Sequence, residues 1–249
     1  MARIDYDRAS RIYDRGRGLP ASSRAAWRPL LAGAVRHPVR RWVDVGSGTG
    51  IWTAQLADWF GCEVVGAEPS VGMRTRATAT RQAAGVRYVA ARAESLPLAA
   101  GSCDAAWLST VVHHVDLAAA AAAGVRVTAP GAPVCIRSSF PDRRYDLAVE
   151  RFFPEVRRVW DTFPTVAATR AAFEVAGCVF EALCRVPEPQ GTTLTDARAG
   201  VPRMRHADTL LAGLTDEEFR RGLRRIDDAI AADEPYPSDG LDLLLLRSR

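Results

Sequence analysis

The residues whose types and spacing suit chemistry fall at three places in the 249-residue chain. Val43-Asp-Val-Gly-Ser-Gly-Thr-Gly50 carries glycines at 46, 48 and 50, which let a backbone bend sharply and approach a ligand without Cβ clashes. Glu68 closes the next apolar run, at the distance from the glycines where a carboxylate accepts both hydroxyl hydrogens of a ribose. His113 and His114 follow a further apolar run, and imidazole is the side chain that titrates nearest neutral pH. The glycine spacing departs from the dinucleotide pattern G-x-G-x-x-G: position 51 is Ile and the third glycine comes one residue early. By itself the loop fits a nucleotide-type cofactor or a plain turn. With Glu68, an adenosine-bearing ligand fits both features. Glu68-Pro69-Ser70 also fits an acidic loop that caps the next helix. His113-His114 also fits one ring packed under a sheet edge and one bonded to a backbone carbonyl.

Other chemistries drop out on composition. All 33 basic residues are arginine, so Schiff-base chemistry and lysine general bases are excluded. Cysteines 62, 103, 135, 178 and 184 include no pair two residues apart and no histidine at metal-ligand distance. They read as buried thiols of a reducing compartment, and no metal is expected.

The elements that must position these groups alternate strand and helix, the pattern of a largely parallel sheet covered on both faces. Strands are expected at 41–46, 63–67, 86–90, 103–109, 132–139, 178–186 and 241–246, and helices at 49–60, 73–84, 117–127, 164–176 and 215–233. In the last helix Thr215 and Glu218 form a capping box, and Phe219, Leu223, Ile226 and Ile230 share a face. Residues 140–164, rich in charge and aromatics, read as an inserted helical cap, and 187–205 as an irregular lid. At 48% hydrophobic and 25% charged, the chain has enough apolar mass for a globular α/β core. It has no apolar stretch long enough to cross a bilayer and no secretory signal at its start, which leads to an expectation of a cytoplasmic protein. Net charge is +4, with ten arginines against three aspartates in residues 1–41. These arginines alternate with Tyr6, Tyr13, Trp27, Leu30 and Leu31 at roughly helical spacing, the arrangement of a solvated helix face.

The loop Asp44–Gly50, the segment Gly66-Ala-Glu-Pro-Ser-Val-Gly-Met73, the segments Ala93–Leu98 and Ser102–Asp104, and Pro130-Gly131 stand in an order that resembles the class I S-adenosylmethionine-dependent methyltransferases. The likeness is to the small-molecule branch that includes the ubiquinone and menaquinone methyltransferases. It covers about residues 40 to 140 well and the rest in outline. It implies a single Rossmann-like domain over 1–249: a seven-stranded, mostly parallel sheet with an antiparallel last strand, helices on both faces, and a helical cap. Within it, 1–40 would be lid helices, 41–139 the cofactor-binding core, 140–163 and 187–213 the substrate cap, and 164–186 and 214–249 the rest of the sheet and helices.

The resemblance also implies roles. Gly46, Ser47, Gly48 and Gly50 would surround the methionine part of S-adenosylmethionine and of its product S-adenosylhomocysteine. Asp44 would support the ammonium, and Glu68, next to Pro69, would hold the ribose. Met73 and Ala93 would flank the adenine, and Ser109 would lie below the sulfonium. Where the family often has an acid facing the adenine amino group, this chain has Arg92, so backbone near Ala93 and Glu94, or Glu94 itself, takes that place. Tyr6 and the run Tyr13–Pro20 resemble the branch's lid, with Tyr13 and Arg17 as contacts to the methionine carboxylate.

Methyl transfer needs a nucleophile aligned with the methyl group, exclusion of water, and at most one base, for which His113 or His114 is the candidate. A planar or aromatic acceptor would be lined by Tyr6, Phe140, Tyr145, Phe152, Phe153 and Trp160, with Arg143, Arg144 or Arg203 for an acidic group. Carbon is favoured over oxygen or nitrogen as the acceptor atom. The rivals are a tRNA or rRNA methyltransferase, a nicotinamide oxidoreductase, and a cofactor-binding protein without catalysis. Ser109-Thr-Val-Val-His lacks the Asn/Asp-Pro-Pro-Tyr/Phe motif of base amino-group methylation. A small-molecule partner, no nucleic acid, no membrane, and a monomer or homodimer are therefore expected.

Overall fold

Trp42, Val43, Asp44 and Val45 alternate across the first strand, β1 (Arg41–Val45), which fixes the layout of the molecule. Val43 and Val45 pack into the core on one face of the sheet, and Trp42 into the core on the other. In this computed structural model, residues 4–7, 10, 13, 21–187, 193–237 and 240–249 are described. β2 (Glu63–Glu68), β3 (Val86–Ala90), β4 (Ala105–Ser109), β5 (Pro133–Ser138), β6 (Cys178–Pro187) and β7 (Gly240–Ser248) complete a seven-stranded sheet of order β3-β2-β1-β4-β5-β7-β6. The first five strands pair in parallel, and β7 runs antiparallel between β5 and β6. This is the seven-stranded, mostly parallel architecture expected of the sequence, with the last strand reversed.

Helices cover both faces. α1 (Ala21–Ala34) buries Trp27 and Leu31, and α2 (Ile51–Phe60) buries Leu56, against Trp42 and Trp107 of the sheet. α3 (Val71–Arg81) starts at the Ser70 cap, whose hydroxyl accepts from the Met73 N–H. α4 (Leu117–Val127) and α7 (Val166–Val175) pack together on the opposite face. The contact is close because α4 presents Ala120, Ala121 and Gly124 to the interior. α5 (Ala148–Phe152), a 3₁₀ turn (Pro154–Val156) and α6 (Arg157–Trp160) break the 140–164 segment into short pieces.

Residues 193–204 differ from the expectation of an irregular lid over 187–205, of which 188–192 lie outside the described residues. Residues Leu194–Met204 form a regular helix, α8, despite Gly200 and Pro202 inside it. Thr193 and Asp196 build a capping box that satisfies its first N–H groups, and Leu194 and Met204 are buried. α9 (Thr209–Ala212) and α10 (Asp216–Ala231) follow, the latter on the Thr215–Glu218 box. α5, α6, α8, α9 and α10 share a third core built on Phe152, Phe153, Trp160, Met204, Phe219 and Ile226, which stands over the carboxyl ends of the strands. No helix among the described residues is long and apolar enough to cross a membrane.

Candidate active site

The order of strands reverses between β1 and β4, and in open α/β sheets the crevice at such a point is where ligands bind. The chain leaving β1 turns through Gly46, φ +71°, whose N–H and that of Ser47 both donate to the Ala67 carbonyl at 2.8 and 3.1 Å. A Cβ on Gly46 would lie 2.5 Å from Val111 Cγ2, so close packing and left-handed backbone both require glycine there. Gly48, φ +55°, has open space where its Cβ would be. Thr110, just past β4, holds φ +52° without being glycine, and its N–H donates to the Arg137 carbonyl at 2.8 Å. Such strain persists where surrounding structure over-determines it and concentrates at functional sites.

Two cavities meet at these turns. The smaller, about 430 Å³, is lined by Tyr6, Tyr13, Gly46, Gly48, Glu68, Pro69, Met73, Arg92, Ala93, Glu94, Ser109, Thr110, His113 and His114, among others. The larger, about 530 Å³, takes Asp44, Ser47, Trp52 and Arg137 from the sheet side and Phe152, Phe153, Phe163, Met204, Leu210 and Ile226 from the helical layer. Tyr13, Gly46, Gly48, Ser109, Thr110, His113 and Thr209 line both.

Two buried carboxylates stand behind the glycine turn. Glu68 accepts from the Gly48 N–H at Oε2 and the Ser70 N–H at Oε1, each at 2.9 Å. Burial pushes its pKa up, against the pull of those two amides. Asp44, fully buried, accepts from Thr53 Oγ1 at 2.6 Å, and burial pushes its pKa up to about 7. Ser47 Oγ is buried, with no hydrogen-bond partner among the described residues.

The two histidines divide. His113 is half-buried, its ring stacked on Phe163 at 4.0 Å and 10°, and it faces both cavities. His114 is exposed; its Nε2 shares a hydrogen bond with Tyr6 Oη at 2.8 Å and a longer one with Thr209 Oγ1 at 3.4 Å. Asp7, beside Tyr6, accepts from Ser70 Oγ and the Gly72 N–H at 2.6 and 2.8 Å, which seats the amino-terminal segment over the smaller cavity.

Several residues singled out in the sequence lie elsewhere. Gly50 turns the loop into α2 beneath Tyr88, whose hydroxyl would sit 2.2 Å from an added Cβ; it serves packing and does not line either cavity. Phe140 is buried in the sheet core. Tyr145 donates to Asp242 Oδ2 at 2.7 Å and accepts from the Phe140 N–H at 2.8 Å. Trp160 is fully buried in the helical core beside Tyr145. Arg143 pairs with Asp242 at 2.9 Å, and Arg203 is exposed on α8 away from both cavities. The stacking platform expected of Phe140, Tyr145 and Trp160 is thus core, because buried aromatic rings gain more from packing than a solvated wall gives them. Arg17 lies outside the described residues. Arg137, Thr110, Thr209 and Tyr236 reach the cavities without having been singled out; what brings them together is tertiary packing.

The profile described as "Methyltransferase domain" matches residues 43–136. Over these residues, 94 of the 249, the chain is similar to that family. The stretch holds the glycine turn, Glu68 and both histidines. A demethylmenaquinone methyltransferase of Beutenbergia cavernae is 37% identical over 107 residues, 42% of this chain and 43% of that one, so the match spans less than half the length of that relative. Among solved structures, a protein described as a methyltransferase of an antibiotic biosynthesis pathway in Anabaena variabilis superposes with a TM-score of 0.70 at 16% identity, covering 90% of this chain and 97% of its own. Geranyl diphosphate C-methyltransferase of Streptomyces coelicolor, solved with Mg²⁺, geranyl diphosphate and S-adenosylhomocysteine, gives 0.58 at 14% identity, over 90% of this chain and 79% of that one. The sheet is that of the Rossmann-like methyltransferase fold.

Proposed function

We propose that this protein is an S-adenosylmethionine-dependent methyltransferase acting on a small apolar acceptor, with carbon the favoured acceptor atom. The observation that carries the reading is the meeting of two cavities at Gly46, Gly48, Ser109, Thr110 and His113. Methyl transfer needs such a junction, with one compartment for the donor and one for the acceptor.

The smaller cavity fits the donor. Each oxygen of Glu68 spends one lone pair on a backbone amide and keeps another, as the two hydroxyls of a ribose require. The open space at Gly48 is the volume a side chain would fill; Ser47 and Asp44, which line the larger cavity next to the junction, would be the acceptors for a cationic amino acid head reaching across it. Met73 and Ala93 supply apolar walls for a base, and Tyr6 and Tyr13 close the open side. When bound, S-adenosylmethionine supplies its methyl group already activated as an electrophile.

The chain's own work is alignment, exclusion of water and proton removal. The strained Thr110 turn fixes the floor of the junction. Phe163 holds the His113 ring by stacking, facing both cavities, in a position to accept a proton from the acceptor. His114, engaged with Tyr6 and Thr209, joins the amino-terminal segment to the helical layer across the smaller cavity. The C-methyltransferase among the structural neighbours is in line with carbon as the acceptor atom.

Calorimetric titration of S-adenosylhomocysteine tests this, with NAD as the control ligand. Binding to the wild type is expected, weakened at least about tenfold by Glu68→Ala, or ~1.4 kcal/mol. Binding of NAD without S-adenosylhomocysteine would overturn it.

A further inference from the structure

Helix α8 contains a glycine that its own fold does not call for. Gly200 stands mid-helix in Leu194–Met204 with ordinary right-handed backbone, where glycine is less stable than alanine. Among the described residues, its chain neighbours and the backbone of its own helix aside, no atom lies within 4 Å of where its Cβ would be, the Pro202 ring included. Other helical glycines have a reason in packing or position. A Cβ on Gly72 of α3 or Gly222 of α10 would collide with Asp7 or with the Phe153 ring, and one on Gly124 of α4 would touch Phe173. Gly33 sits in the last turn of α1, where helices commonly give way to glycine.

What Gly200 does border is the larger cavity. Ala197, Gly200, Val201 and Met204, three or four residues apart, all line it, so one face of α8 is part of the wall and Gly200 is a gap among that wall's side chains. Burial of Leu194 and the bond from Arg198 Nε to Asp227 Oδ1 of α10, at 2.7 Å, seat the helix in this orientation. At about 530 Å³ the cavity is more than three times the ~150 Å³ that takes one benzene ring. A single-ring ligand seated at Ser109 and His113 would leave most of the helical half unfilled, and Phe152, Phe153 and Ile226 would forgo their contacts with it.

We infer that the acceptor is a bulky apolar molecule, of naphthalene size or larger, whose end remote from the methylated atom lies against the bare backbone of α8 at Gly200, and that the missing side chain there sets the largest acceptor the cavity admits. Calling this ligand an acceptor rests on the methyltransferase reading; the size preference does not. The helix stability forgone at Gly200 is the counterpart of the space it leaves. Alanine at this position would firm α8 and shorten the cavity by one methyl group, and leucine would shorten it by a whole side chain. Gly200 is thus a specificity-determining residue that acts away from the reacting atoms.

The test uses probes that carry one hydroxyl on a growing apolar body: phenol, 2-naphthol and 9-phenanthrol, titrated into the full chain saturated with S-adenosylhomocysteine. In the wild type 9-phenanthrol is expected to bind at least about tenfold more tightly than phenol. In Gly200→Leu its affinity should fall at least about tenfold while phenol stays within about twofold. Gly200→Ala should lose about threefold for 9-phenanthrol while the Tm of the ligand-free chain rises by about 1–4 °C, a pair of opposed changes that a merely structural glycine would not give. Should Gly200→Leu not fold, Gly200→Ala decides. Wild type that binds none of the probes, or phenol as tightly as 9-phenanthrol, overturns the inference. So does Gly200→Leu that binds every probe as before or loses all of them alike, and so does an unchanged or lower Tm in Gly200→Ala. Binding of S-adenosylhomocysteine, measured first, separates these outcomes from failure of the methyltransferase reading; if it does not bind, the same titrations on the free chain still decide the size preference.

Discussion

The two walls of the junction are made in different ways. The sheet-side wall is backbone: glycine turns at positive φ, a strained Thr110, and amides pointing at Glu68. The helical wall is side chain: rings and aliphatic groups from five short or amphipathic helices that share a core among themselves. A backbone wall tolerates almost no change of residue type at its turns. A side-chain wall can be repacked, and it is the wall that selects what enters the larger cavity. On the proposed function, donor recognition and acceptor choice are thereby separated in the molecule, one on each side of Ser109 and His113.

The most severe way to break this comparison is to cut into the helical wall and watch the other one. Trp160→Ala removes a fully buried ring and is expected to cost about 3–5 kcal/mol by denaturant unfolding, while S-adenosylhomocysteine binding by the folded protein stays within about twofold. Lost binding at unchanged stability would mean that the two walls are not independent.

Asp44 sharpens the sheet side. Burial raises its pKa from 3.8 to about 7, with the charge of Glu68 adding to the shift and the Thr53 hydrogen bond opposing it. Between those values the folded chain keeps a proton that the unfolded chain has released, so the stability this group contributes falls as pH rises from 3.8 to about 7 and is gone above that. Asp44→Asn cannot ionise and should flatten the slope, raising stability at pH 8 by a few kcal/mol at most. Thermal unfolding at pH 5 and pH 8 measures it, and an unchanged slope would mean that Asp44 is ionised when folded.

The smallest effect tests how the helical wall is anchored. Thr215→Ala removes the hydroxyl that accepts from the Glu218 N–H at 3.2 Å and should cost about 1 kcal/mol, a fall of roughly 2–4 °C in Tm, with ligand binding unchanged.

The sheet side was legible because its signals are local. Apolar runs ending in glycine mark β1 and its turn, Ser70 and Thr215 announce helix starts, and a carboxylate at the end of β2 must reach the same crevice as the loop after β1. The helical side was legible only in part. Phe152 does face the larger cavity, but Phe140, Tyr145 and Trp160, which carry the same aromatic signal, face inward. Aromatic character states that a ring will be buried and is silent about whether the burying partner is core or ligand. Residues 187–205 misled for a related reason: Gly200 and Pro202 argue against a helix locally, and α8 forms because the Thr193–Asp196 box and burial of Leu194 and Met204 outweigh them.

The sequence by itself determined the strand–helix alternation, the turn at Gly46–Gly50, the reach of Glu68 and the absence of lysine chemistry, since each depends on neighbours within a few residues or on residue type alone. Only the tertiary structure decided which histidine faces both cavities, which aromatics are wall and which are core, and that Arg137 lies on the floor between two indoles. Those outcomes depend on contacts between residues up to 110 positions apart, such as Arg137 with Trp27, and no local pattern encodes such a distance.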